Sequence, residues 1–256
     1  MTARDGFDSM YRAINTSLAY RAAVRASETG LPDWLVPFSF INAALLELIT
    51  ATLRLGTGDT VIDLACGTGG AGVWVAERTG AALIGVDFAP AAIEAATLLA
   101  ERRCPGGQAR FITAEATATE LPAACASAVM CIDALMFIDA AAVATEIARL
   151  LKPGGIFIAT AAESLGEALL PTLVADYRPI FEEVGFRTLR YEELAGHDTQ
   201  RLAFYHALEK HADALRAEIG DAAERLLAEA RNGLERAVHN TRRVRQVLFI
   251  AERADA

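Results

Sequence analysis

From residue 59 to residue 162 the chain alternates between two patterns of apolar positions. Five runs, "DTVIDLAC", "ALIGVD", "ARFIT", "SAVMCID" and "IFIATAA", are short, apolar and rich in β-formers, as strands buried on both faces must be. Between them, "GVWVAERTG", "APAAIEAATLLAERR" and "AAAVATEIARLLKPGG" read as helices. Gly80 stops the first, Pro90 opens the second from its first turn, and Pro153 with the Gly154-Gly155 pair stops the third. Strands alternating with helices in this way predict a mostly parallel sheet covered on both faces.

The flanking segments differ. Helices are expected over residues 9–28 and 41–53, separated by "TGLPDWLVPFS", where Pro32 and Pro37 each remove an amide donor. After Pro171 the pattern predicts a helix, "TLVADYRPIFEEVGF", a strand, "FRTLRY", and a last strand, "RRVRQVLFIAER". Residues 192–241 carry no strand signal. Leu215, Ile219, Ala222, Leu226, Ala230, Leu234 and Val238 recur there at steps of three and four, giving one apolar helical face. Gly220 breaks the stretch, and Asp221 with Glu224 resembles a capping box, so a helical hairpin is expected between the last two strands. Such a hairpin either pads the sheet edge or covers a site as a lid.

Composition narrows the function. With 53% hydrophobic residues in 256, the chain can build one large core, and its net charge of −9 leaves no basic stripe for a nucleic acid. Cys66, Cys104, Cys125 and Cys131 show no metal-ligand spacing and read as reduced core or turn residues, so no metal is expected and a cytoplasmic location is. "MTARDGFDSM" has no signal-peptide core, and no uncharged apolar run reaches spanning length, so no membrane association is expected.

Chemistry enters with "VIDLACGTGGAG". Gly67-x-Gly69-x-x-Gly72 follows a strand and opens a helix, and Asp87 stands 20 positions beyond Gly67, where a ribose-binding acid belongs. The glycines alone suit any nucleoside cofactor approaching amides at a helix N-terminus. Asp63 discriminates. A carboxylate in this crevice would repel the pyrophosphate of NAD, whereas it would attract a ligand carrying an ammonium or sulfonium. The competing reading of Asp63 is an exposed carboxylate at a strand end.

"VIDLACGTGG" resembles motif I of the class I S-adenosylmethionine-dependent methyltransferases, "LIGVD" ending in Asp87 their second motif, and "LLKPGGIFIAT" the segment leading into their fifth strand. The resemblance covers residues 57–161, and "WLVPFSFI" is similar to small-molecule members common in actinobacterial biosynthetic pathways. It implies a Rossmann-like, seven-stranded, mostly parallel sheet with helices on both faces, N-terminal helices and an inserted helical lid. As one domain this divides into a helical cap (1–55), a cofactor-binding core (56–191), the lid (192–241) and the last strand (242–256).

The resemblance also implies roles. Asp63 and the backbone of Ala65, Cys66 and Gly67 would line the methionine part of S-adenosylmethionine, with Ser39 reaching its carboxylate. Asp87 would take the ribose hydroxyls, Phe88 would pack on adenine, and Glu115 and the Ala116 amide would read the adenine edge. Asp133 and Ala134 would stand near the sulfonium. Ala65 replaces the first motif glycine, and "TAEA" stands where "GDA" is commoner, which leaves the placement of Glu115 open.

The expected reaction is methyl transfer to a small, apolar metabolite on O, N or C, in which alignment and exclusion of water matter most. If the nucleophile arrives protonated, His197 and His206 are the candidate bases. Tyr11, Met136, Phe137 and Tyr205 are candidate substrate-lining residues, and Trp34 and Phe38 could close over the cofactor or staple the next helix. Two other readings stand beside this one: a cyclase or dehydratase that keeps the cofactor fold without methylating, and an NAD-dependent oxidoreductase.

Overall fold

A computed structural model describes residues 2–104, 106–166, 169–239 and 243–254. Its centre is a seven-stranded sheet in the order β3-β2-β1-β4-β5-β7-β6. The strands are β1 (Thr60–Leu64), β2 (Ala82–Asp87), β3 (Ala109–Thr113), β4 (Ala126–Ile132), β5 (Leu151–Ser164), β6 (Phe186–Glu193) and β7 (Val244–Arg253). β1 to β5 run parallel, while β7 is antiparallel to both β5 and β6. The fold is Rossmann-like, and the strand order reverses between β1 and β4.

Both faces of the sheet's central strands are covered, which is why those strands read as unbroken apolar runs. Ile62, Leu64, Val129 and Phe157 pack with Ile147 and Phe181 on one face, against helices α6 (Ala140–Leu150) and α7 (Arg178–Glu182). On the other face Val61, Leu83, Met130 and Ile158 pack with Ile49 and Val73, from α3 (Ala43–Leu53) and α4 (Gly70–Thr79).

A third apolar cluster lies outside the sheet. It joins α1 (Ala3–Thr16), α2 (Leu18–Ala26) and the start of α5 (Pro90–Arg103) to the helices between β6 and β7. The expected single helix over 9–28 is two helices. Ser17 leaves helical geometry at φ −78°, ψ 120° and accepts from the Tyr20 amide at 2.9 Å. Glu218, from the inserted helices, accepts from the Ser17 hydroxyl at 2.7 Å and the Ala19 amide at 3.1 Å. A serine that can cap competes with helix continuation, and here a distant carboxylate completes the cap.

The insertion is three helices rather than a hairpin: α8 (His197–Lys210), α9 (Ala212–Ile219) and α10 (Asp221–Val238). No capping box forms at Asp221, because Gly220 occupies the cap and Glu224 turns away to Arg216 at 2.6 Å. Leu215, Ala222, Leu226 and Ala230 are buried as the periodicity predicts, whereas Val238 is 80% exposed. The expected boundary at 241–242 lies outside the described residues. The helix expected over "TLVADYRPIFEEVGF" shrinks to α7, since Val174 and Tyr177 spend backbone groups on Ser164 and Glu163 at the end of β5. Among the described residues, no helix is long and apolar enough to cross a membrane.

Candidate functional site

The chain between β1 and α4 turns at the carboxyl edge of the sheet. Ala65, Gly67 and Gly69 all have positive φ, at 54°, 52° and 77°. Such backbone favours glycine, so Ala65 holds a position where glycine would be less strained. The Cys66 amide donates to the Val86 carbonyl at 3.0 Å, tying the loop to β2. Asp87 completes the tie: its Oδ2 accepts from the Gly67 amide and its Oδ1 from the Ala89 amide, each at 2.9 Å.

Asp63 stands at the core of this arrangement. It is 2% exposed, and its Oδ2 is buried with no hydrogen-bond partner. Burial, offset in part by the Gly72 amide and reinforced by the Asp87 charge, pushes its carboxyl up to about 7. Burial also raises Asp87, against the amides it accepts from, and lifts the Cys66 thiol well above its ordinary range. A buried carboxyl raised toward neutrality with an unpartnered oxygen marks Asp63 as a candidate site residue.

A cavity of about 50 Å³ opens on these groups. Its back wall is Asp63, Ala65, Cys66 and Gly67, and its front wall is Tyr11, Phe38 and Ser39. Tyr11 comes from α1 and lies so close that a Cβ on Gly67 would sit 2.8 Å from its hydroxyl. Burial and the nearby Asp87 raise that hydroxyl well above its usual range. Tyr11 thus lines the same cavity as the glycine loop.

Helix α1 is fastened across the neighbouring edge. Arg4 Nε donates to the Phe88 carbonyl at 2.8 Å, and Asn15 Nδ2 to the Ala91 carbonyl at 3.2 Å. α5 has no side-chain cap of its own, and Asp8 supplies one by accepting from the Ala91 amide at 2.7 Å. Phe7 meets Phe38, Phe88 and Phe137 edge-on, at 6.4, 5.7 and 5.4 Å. Sequence reasoning missed Arg4, Phe7 and Asp8; their only trace is the polar and aromatic face of an amphipathic first helix.

The remaining candidates divide. Ser39 and Phe38 line the cavity, but Trp34 lies elsewhere, stacked under Arg103 at 4.6 Å beside Trp74, so it does not close over the loop. Glu115 is exposed and its backbone bridges to Ala118; Ala116 is half-buried. Met136 is half-buried, with its carbonyl accepting from the Thr172 hydroxyl at 2.6 Å, and Phe137 is 51% exposed. Asp133, at φ 54°, and Ala134 follow β4 in the turn before Leu135. Tyr205 is buried among the inserted helices and donates to Glu229 at 3.1 Å, whereas His206 beside it is exposed. His197 packs edge-on against Phe40 at 5.7 Å. Among the described residues no three His, Cys, Asp or Glu side chains gather as a metal site.

A glycine loop at the reversal point of a parallel sheet, backed by two buried acids, defines a nucleoside-cofactor site of the Rossmann-like class. Residues 61–155 match the family described as Methyltransferase domain. A ubiquinone biosynthesis O-methyltransferase of Paracidovorax citrulli is 37% identical over 144 residues, covering 55% of this chain and 59% of that one. The chain therefore spans about three-fifths of the length of that relative. By fold it is similar to the [4+2]-cyclase SpnF (TM-score 0.74, 20% identity, 83% of this chain and 81% of that one). It is also similar to a phosphoethanolamine N-methyltransferase of Haemonchus contortus (TM-score 0.78, 17% identity, 100% of this chain and 61% of that one). Within this chain, residues 61–155 carry the methyltransferase-domain match, and the whole chain shares the fold of these neighbours.

Proposed function

We propose that this protein transfers the methyl group of S-adenosylmethionine to a small, apolar acceptor. The observation that carries the reading is the buried, unpartnered Oδ2 of Asp63 on the wall of the glycine-loop cavity. An uncompensated carboxylate there favours an ammonium and a sulfonium and disfavours a pyrophosphate. Asp63 and the Ala65, Cys66 and Gly67 backbone would hold the methionine part, Ser39 its carboxylate, and Asp87 the ribose. Phe88 would face the adenine, Glu115 and Ala116 its edge, and Ala134 the sulfonium side. The cavity of about 50 Å³ would take the methionine end of the cofactor, with Asp87, Phe88 and Glu115 lying outside it.

When bound, S-adenosylmethionine supplies an activated methyl group on sulfur. What this chain adds is alignment and a dry site. Phe7, Phe38 and Phe137 form an aromatic mouth, and Leu165, Leu169 and Leu170 are exposed on the loop that Thr172 ties to Met136. That surface suits an apolar acceptor. The name of the curated relative favours oxygen as the acceptor atom, for which His197 is the candidate base.

Calorimetry with S-adenosylhomocysteine and with NAD, followed by mass spectrometry of products from a panel of phenols, tests the reading. Binding of S-adenosylhomocysteine and a product heavier by one methyl group are expected. Binding of NAD alone would replace the reading with the oxidoreductase, and turnover without added mass would replace it with the cyclase or dehydratase.

A further inference from the structure

Asp133 was expected beside the sulfonium, yet its carboxylate is already engaged by three donors. Oδ1 accepts from the Thr160 hydroxyl at 2.6 Å and from Gln246 Nε2 at 2.5 Å, and Oδ2 accepts from the Phe40 amide at 3.1 Å. The Asp133 amide in turn donates to the Thr160 carbonyl and hydroxyl, both at 3.0 Å. None of these donors is charged. Four segments meet at one side chain: the turn after β4, β5, the start of β7 and the segment before α3.

That segment matters because Pro37, Phe38, Ser39 and Ile41 line the cofactor cavity on either side of Phe40. The Phe40 amide is held by Asp133, while its ring lies edge-on to His197, Phe204 and Tyr205, at 5.7, 6.0 and 5.6 Å. Gln246 is 7% exposed on a strand whose neighbours Leu248 and Ile250 are core, so a polar group there is costly unless used. Its side chain is used on Asp133.

We propose that Asp133, Thr160 and Gln246 form a latch that holds residues 36–41 closed over the cofactor cavity. They are positioning residues: they act on the cofactor through Phe40 and the wall it belongs to. The proposal rests on the cofactor reading for its binding readout but not for its exchange readout.

The test combines amide exchange of residues 36–41 in the protein alone with calorimetry using S-adenosylhomocysteine. Gln246→Leu and Thr160→Val should each speed exchange at the Phe40 amide and weaken binding by about tenfold, the equivalent of one lost hydrogen bond to a charged group. Thr160→Ser, which keeps the hydroxyl, should restore both. Gln246→Glu sets a second carboxylate against Asp133 and should weaken binding more than Gln246→Leu. General destabilisation would not be rescued by serine. Unchanged Phe40 exchange and affinity in Gln246→Leu and Thr160→Val overturn the latch. If wild type fails to bind S-adenosylhomocysteine, the cofactor reading falls, and exchange at Phe40 still decides the latch by itself.

Discussion

Cofactor binding should release a proton at Asp63. In the free protein burial holds this carboxyl near pH 7, so about a tenth of molecules carry the charge at pH 6 and about nine-tenths at pH 8. An ammonium or sulfonium beside Asp63 favours the ionised form and pulls its pKa down. Affinity for S-adenosylhomocysteine should then fall about tenfold from pH 8 to pH 6, or about 1.4 kcal/mol, with close to one proton released per ligand at pH 6. Calorimetry in buffers of different ionisation enthalpy reads that proton directly. The ligand's amine also titrates in this range, but equally for Asp63→Asn, so the ratio of wild type to variant isolates Asp63. The same shift has a stability counterpart of opposite sense. A raised carboxyl stabilises the free fold fully below about pH 4 and loses that contribution as pH rises through about 7. Asp63→Asn should remove this slope. Affinity that is flat from pH 6 to 8 relative to Asp63→Asn, or uptake of a proton on binding, would refute the reasoning.

Three further substitutions probe the walls of the site. Asp8→Ala removes the only side-chain cap recorded on the α5 amides and should cost about 1 kcal/mol in urea unfolding. Gly67→Ala meets both a positive φ of 52° and the Tyr11 hydroxyl, so it should cost about 1–2 kcal/mol by denaturation and abolish calorimetric binding of S-adenosylhomocysteine. Gly233→Ala would drive a Cβ into the Tyr205 ring, whose hydroxyl is held by Glu229; overpacking of about 1–3 kcal/mol should lower the melting temperature while S-adenosylhomocysteine still binds.

The sheet was legible because β1, β2, β4 and β5 are buried over most of their length, and a continuous apolar run needs no long-range information to be read. The glycine loop was legible for a similar reason, since Asp63, Gly67 and Asp87 sit in one β-turn-α-β unit. What escaped reading is where single distant side chains override local pattern. Ser17 ends a helix because Glu218 completes its cap, and residues 172–177 abandon helix to pair with the end of β5. Gln246 carried one faint signal, a polar residue on the core-facing side of an apolar strand. Nothing local says that its partner lies 113 positions earlier, or that Phe40 reaches the same carboxylate from 93 positions away.

These two kinds of element also divide the work. The back wall, built from β1 and β2, is fixed by backbone hydrogen bonds and cannot open without unfolding the sheet. The front wall, α1 and residues 36–41, is held by individual side chains: Arg4, Asp8 and Asn15 on one flank, Asp133 on the other. The cavity of about 50 Å³ lies between these two walls. The front wall's polar fastenings are single hydrogen bonds, each worth about 0.5–3 kcal/mol depending on charge, added to the apolar packing of Met10, Tyr11 and Ile14. Loss of one fastening should therefore act first on how fast cofactor and product exchange, and only secondarily on whether the protein folds.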